Sequence, residues 1–192
     1  MTDSTTYTAF AGSNCIAQGS LPEVATVVKK LADAQEPQSL LVFSDNAGAQ
    51  VDLDLHGSLE SVLARLSAPV PAPPAEPVRR SPGRPKLGVV GREVTLLPRH
   101  WDWLNAQPGG ASVALRKLVE QARSSNAGQD RVRHAREAAY RFMSAIAGNE
   151  PGFEEACRAL FAGNKEGFEG QTEAWPQDVR EFALYLAEAS WD

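Results

Sequence analysis

Three groups of side chains in this 192-residue chain have the types and spacing that chemistry requires. The first is Arg79-Arg80-Ser81-Pro82-Gly83-Arg84-Pro85-Lys86, where four cations sit on a backbone of glycine and proline. Such a string suits charge neutralisation of a polyanion, not proton transfer. The second is Asp52 and Asp54, two apart, so that a strand would set both carboxylates on one face, with His56 following. A carboxylate pair of this kind could hold a metal or do general acid–base work. No third ligand lies nearby, however, and the alternation with Val51, Leu53 and Leu55 is what a solvated strand face shows. The third is Cys15 and Cys157, which form neither a CxxC nor a Cys/His cluster and read as two free, buried thiols. The chain contains no GxSxG, HExxH, P-loop or dinucleotide fingerprint. The expectation is a protein without catalysis, cofactor or metal.

Charge along the chain favours the first group. Residues 1–77 hold three basic and nine acidic residues (net −6), 78–136 hold twelve and four (+8), and 137–192 hold four and eleven (−7). The acidic pI of about 5.3 therefore hides a positive centre. Segregation of this kind bears on partners, polyanions above all, and not on fold. Hydrophobic content of 43% and charge of 22% are ordinary for a globular chain. No apolar run approaches the roughly 18 residues of a membrane span, and MTDSTTYTAF lacks the basic and apolar regions of a signal peptide. A cytoplasmic location without membrane contact is expected.

The elements that must position these residues fall into four segments and give an α+β class overall. Residues 1–67 read as a small α/β sheet domain. Tyr7, Ala9 and Ala11 alternate with Thr8 and Phe10, Gly12-Ser13-Asn14 marks a turn, and Cys15 to Gln18 can pair back. Ser20 caps a helix with Pro22 in its first turn and Val24, Val27, Val28 and Leu31 on one face, ended by Glu36-Pro37. Two further strands, Leu40–Phe43 and Val51–Leu55, then a short helix after Ser58, complete a β-β-α-β-β-α order, with the helices on one side of the sheet. Residues 68–90 are a proline-rich linker ending in the basic string. Residues 91–127 read as strand (Arg92 to Leu97), helix opened by Pro98, a Pro108-Gly109-Gly110 stop, and a second helix capped by Ser112 with Leu115, Leu118, Val119 and Ala122 as its apolar stripe. Trp101 is assigned to the core and Trp103 to either core or surface. Residues 128–192 form an acidic helical bundle, with helices over Asp130–Gly148, Phe153–Ala162 and Asp178–Ser190.

Two resemblances give the basic centre a function. Gly83-Arg84-Pro85, flanked by Arg79, Arg80 and Lys86, resembles an AT-hook, with Pro82 where that motif usually carries a second arginine. The resemblance implies an extended segment lying in the narrow minor groove of A·T-rich DNA. Residues 91–127 resemble the ribbon-helix-helix fold, in which two chains pair single strands into a ribbon that enters the major groove. That implies a homodimer with Arg92 or Glu93 and Thr95 reading bases and Val94 and Leu96 facing the helices. Gly110, Ala111 and Ser112 would meet a phosphate at a helix start, with Arg116 and Lys117 on the polar side. TAFAG, VDLDL, GRPKLGVVGREVTLLPRHWDWLNAQPGGASVALRKLVEQAR and AYRFMSAIAGNEPGFEEACRALFAGN together look like an uncharacterised bacterial domain-of-unknown-function family, number 2239, over almost the whole chain. That likeness implies membership and no activity. The expected function is that of a DNA-binding transcriptional regulator or nucleoid-associated factor. The alternative is a non-catalytic protein–protein interaction module, with the acidic C-terminal segment offering a surface to a protein partner.

Overall fold

A computed structural model of the chain describes residues 5–34, 39–67 and 90–191. It is α+β, with one three-stranded antiparallel sheet and seven α-helices among the described residues. Two compact units are present, residues 1–68 together with 128–192, and residues 69–127.

The first unit is built on β1 (Tyr7–Ala11), β2 (Asn14–Gly19) and β3 (Leu40–Ser44), in the order β2-β1-β3. β1 and β2 close a tight hairpin in which Ala11 pairs with Asn14, and β1 pairs antiparallel with β3 so that Thr8 faces Phe43 and Ala9 faces Val42. Strand side chains alternate between faces. One face therefore carries Ala9 and Val42, and these cluster with Val24 and Val28 of α1 (Leu21–Asp33). The opposite face carries Phe10 and Phe43, which join Phe142, Met143, Leu160 and Phe182. The sheet is thus covered on both sides, not on one as its element order suggests. The reason is legible in β1 itself, where both alternating sets are buried, as in strands enclosed on two faces.

Val51, Leu53 and Leu55 are not a fourth strand. Residue 50 makes one isolated bridge to Phe43, and residues 51–56 run on without strand pairing while their apolar side chains pack at the edge of the α1 cluster. Asp54 accepts from the His56 amide (3.1 Å) and pairs with His56 Nδ1 (3.0 Å) and with Arg65 Nε of α2 (Leu59–Ser67; 3.0 Å). This tie turns the chain into the helix. α1 starts where Ser20 places it: the Glu23 carboxylate accepts from the Ser20 amide (2.9 Å) and hydroxyl (2.7 Å), closing the first turn. Its last residue is Asp33, and the Glu36-Pro37 stop lies outside the described residues.

The other side of the sheet is covered by the end of α4 (Gly110–Ile146), with α5 (Phe153–Ala162), α6 (Lys165–Gln171), α7 (Gln177–Ala187) and a 3-10 turn at Glu188–Ser190. α3 (Pro98–Asn105) belongs to the second unit. The helices expected separately from Ser112 and from Asp130 are one continuous helix of 37 residues. Gly128 at their junction costs a helix only about 1 kcal/mol, and no proline stands there to break the ladder. Ser112 is accordingly a first-turn residue and not the cap, since the helix already begins at Gly110.

A close approach fixes α4 against the sheet. The β3 turn at Asp45–Gly48 brings Gly48, with φ of 58°, so near the helix that a Cβ there would lie 1.9 Å from the carbonyl oxygen of Ala138. Arg141 Nη1 donates to the Ala47 carbonyl across the same junction (3.2 Å). Behind the turn, Thr8 Oγ1 donates to Asp45 Oδ1 (2.8 Å), which gives that buried carboxylate a partner inside the sheet.

Candidate nucleic-acid interface

The residues singled out from the sequence lie in two places. Arg79, Arg80, Gly83, Arg84, Pro85 and Lys86 fall outside the described residues, as does the linker that carries them. Arg92, Thr95, Gly110, Ser112, Arg116 and Lys117 all belong to the second unit.

In that unit residues 90–97 are neither helix nor strand, and take no place in the sheet. The strand expected over Arg92–Leu97 is therefore not formed within one chain, because strand structure exists only where a neighbouring edge accepts its hydrogen bonds. Arg92 and Thr95 are exposed, as is Val94, while Leu96 is half-buried. Pro98 opens α3 as its first residue after Leu97. Trp101 is half-buried, short of the core position expected for it, and Trp103 is 53% exposed. The core place on this helix belongs to Leu104.

Two successive left-handed glycines, Gly109 (φ 89°) and Gly110 (φ 74°), reverse the chain from α3 into α4. Any side chain at either would be strained by this conformation. The Gly110 amide donates to the Gln107 carbonyl (2.9 Å), so one N–H of this helix start is already used. Ser112 Oγ accepts from Arg116 Nη2 (2.8 Å), Lys117 is exposed, and Arg123 pairs with Glu120 on the same exposed surface (2.8 Å). The first turn of α4 holds no acidic residue, which leaves the positive end of the helix dipole without an internal counter-charge.

Burial separates this unit from the first. Among its described residues only Leu104 and Ala114 are buried apolar side chains, whereas Val90, Val94, Leu97, Trp103, Leu118 and Val119 are large apolar side chains left exposed. Of the stripe expected on α4, Leu115 is half-buried while Leu118, Val119 and Ala122 are exposed in the single chain.

Elsewhere the thiols and carboxylates are arranged for structure. Cys157 is buried, and desolvation, with the Glu154 carboxylate adding to it, pushes its thiol up to about 11. Cys15, expected to be buried, is exposed at the hairpin. Its amide donates to Asp178 Oδ2 of α7 (2.7 Å), which holds the backbone at the rim and leaves the side chain outside. Asp54 is held below the ordinary carboxylate range by its backbone and side-chain hydrogen bonds from His56. Among the described residues no group of three His, Cys, Asp or Glu is placed to hold a metal ion, and no helix is long and apolar enough to cross a membrane.

The chain is in class an α+β protein whose three-stranded sheet is covered by helices on both faces. It belongs to the family described as "Uncharacterized protein conserved in bacteria (DUF2239)", whose pattern matches residues 6–187. No curated protein and no solved structure matches it.

Proposed function

We propose that this is a homodimeric DNA-binding protein, a transcriptional regulator or nucleoid-associated factor, that contacts A·T-rich DNA through its basic centre. The observation that carries the reading is the imbalance among the second unit's described residues, two buried apolar side chains against six large exposed ones beside Arg92, Arg116 and Lys117. So small a core cannot balance the chain entropy of the segment it orders, and a second copy that covers Val94, Leu97, Leu118 and Val119 supplies the missing burial. An unpaired segment at 91–97 is what a two-fold ribbon requires of each protomer. In that dimer Arg92 and Thr95 read base edges. Ala111 and Ser112, in the first turn of α4, meet a phosphate together with Arg116 and Lys117. Arg84, between Gly83 and Pro85, anchors the chain in the minor groove, with Arg79, Arg80 and Lys86 on the flanking phosphates.

An electrophoretic shift of an A·T-rich duplex at low salt tests this. The full chain retards the duplex, and Arg84→Ala combined with Arg92→Ala loses most of the shift. A shift unchanged by those substitutions would remove the assignment. The competing reading, a module for protein partners, rests on the same exposed apolar surface. Its signature is a monomer without DNA affinity whose Trp103 and Val119 are covered by another protein.

A further inference from the structure

A groove of about 580 Å³ lies along residues 128–137 of α4, within the first unit. Val132, Arg133, Arg136 and Glu137 of α4 recur along its wall at three- and four-residue steps, and Phe161 of α5 also lines it. Val132 and Arg136, both half-buried, continue toward the helix start the stripe that Ala139 and Met143 carry into the core, so the groove lies at the end of that packed face.

Its chemistry is mixed in a particular way. The guanidinium groups of Arg133 and Arg136 line it beside the carboxylate of Glu137. Arg136 is under-satisfied: Nη2 makes one 3.3 Å contact to the Ser190 carbonyl, and Nε is buried without an acceptor. A desolvated donor left without a partner is costly, and a charged one more so. Arg133 is engaged with Asp130 (2.8 Å) and more distantly with Glu137 (4.0 Å), but these are exposed pairs of small worth that an incoming anion can displace. Phe161 is 50% exposed and rests at 5.7 Å on the ring of Tyr140, so a flat apolar surface is held open beside the cations. The volume is that of a small-molecule site, for which about 300–1,000 Å³ is usual.

We infer that this groove binds a small organic anion, a carboxylate, phosphate or sulfonate carried on a flat apolar body, with Arg133 and Arg136 on the anionic group and Phe161 under the ring. The site stands independently of DNA binding. Anilinonaphthalene sulfonate, which joins an anion to fused rings, is the probe, and its neutral counterpart phenyl-naphthylamine isolates the charge. Fluorescence titration of the full chain should show saturable binding of one sulfonate per chain, with the neutral compound at least about tenfold weaker. Phe161→Ala and Arg136→Gln should each weaken the sulfonate by roughly fivefold or more, while Tyr185→Ala, an exposed aromatic elsewhere, leaves it unchanged. Arg133→Gln provides the same test should loss of the Ser190 contact unfold the Arg136 variant, and circular dichroism reports folding for each. Absence of saturable binding, equal affinity for the neutral compound, or loss on Tyr185→Ala and not on Phe161→Ala would overturn the assignment.

Discussion

The ring of Phe10, on the first strand, lies 5.7 Å from that of Phe182, on the last full helix, and 5.4 Å from Phe142 between them in the chain. Phe43 completes the group at 4.9 Å from Phe142. These four rings join the sheet to the acidic helices in one core, so neither is finished without the other. Phe10→Ala should destabilise the protein by about 3–5 kcal/mol, the usual cost of emptying a buried aromatic site. Urea unfolding followed by far-ultraviolet circular dichroism would show it as a lower midpoint with a single transition for sheet and helices. A peptide of residues 1–67 alone should show no cooperative transition.

Gly48 is the tightest point of that junction. Alanine there would need both a left-handed backbone, unfavourable by about 1–2 kcal/mol, and room that the Ala138 carbonyl already occupies. We expect Gly48→Ala to cost roughly 3 kcal/mol or more, well beyond the effect of Gly91→Ala, where a Cβ would meet nothing. Thermal unfolding of the two variants side by side gives the comparison.

Cys157 makes stability depend on alkaline pH. Its folded thiol is raised to about 11 from an ordinary 9.0, so the native state holds the proton that the unfolded chain releases between those values. Stability from this group is complete below pH 9 and falls as pH rises toward 11, at up to about 1.4 kcal/mol per unit. Cys157→Ala should flatten that part of the unfolding profile. In the native state near pH 8 a thiol reagent should modify Cys15 and reach Cys157 only on unfolding.

The dimer has its own test. Sedimentation equilibrium of the full chain should give twice the monomer mass, and Val119→Asp, which places a carboxylate on the 63%-exposed apolar stripe of α4, should give the monomer. An unchanged mass in that variant would place the interface elsewhere.

Local features were legible in the sequence wherever neighbours in the chain decide them. Ser20 with Glu23 sets the start of α1, Pro98 opens α3, Gly109-Gly110 reverses the chain, and Phe153–Ala162 has the bounds its periodicity gives. Features set by distant partners were not legible. The alternation of Val51, Leu53 and Leu55 marks a buried edge, but whether it becomes a strand depends on a hydrogen-bonding neighbour, and pairing with β3 ends with the Val51 amide on the Val42 carbonyl. The continuity of α4 through Gly128 depends on a penalty too small to end a helix that is anchored at both Ala114 and Phe142. The groove beside Phe161 is not legible in the sequence, because Arg133 and Arg136 lie 28 and 25 residues from that ring and meet it only through the fold.

The central claim, that the basic centre binds DNA as a polyanion, is tested most directly by the salt dependence of affinity for an A·T-rich duplex, measured by fluorescence anisotropy. Phosphate contacts release counterions, about 0.9 per contact, so several arginines and lysines per protomer predict a log–log slope steeper than about −4. The predicted result is that slope, reduced in Arg84→Ala and in Arg116→Ala with Lys117→Ala. No anisotropy change at low salt, or an affinity indifferent to salt, would contradict the account.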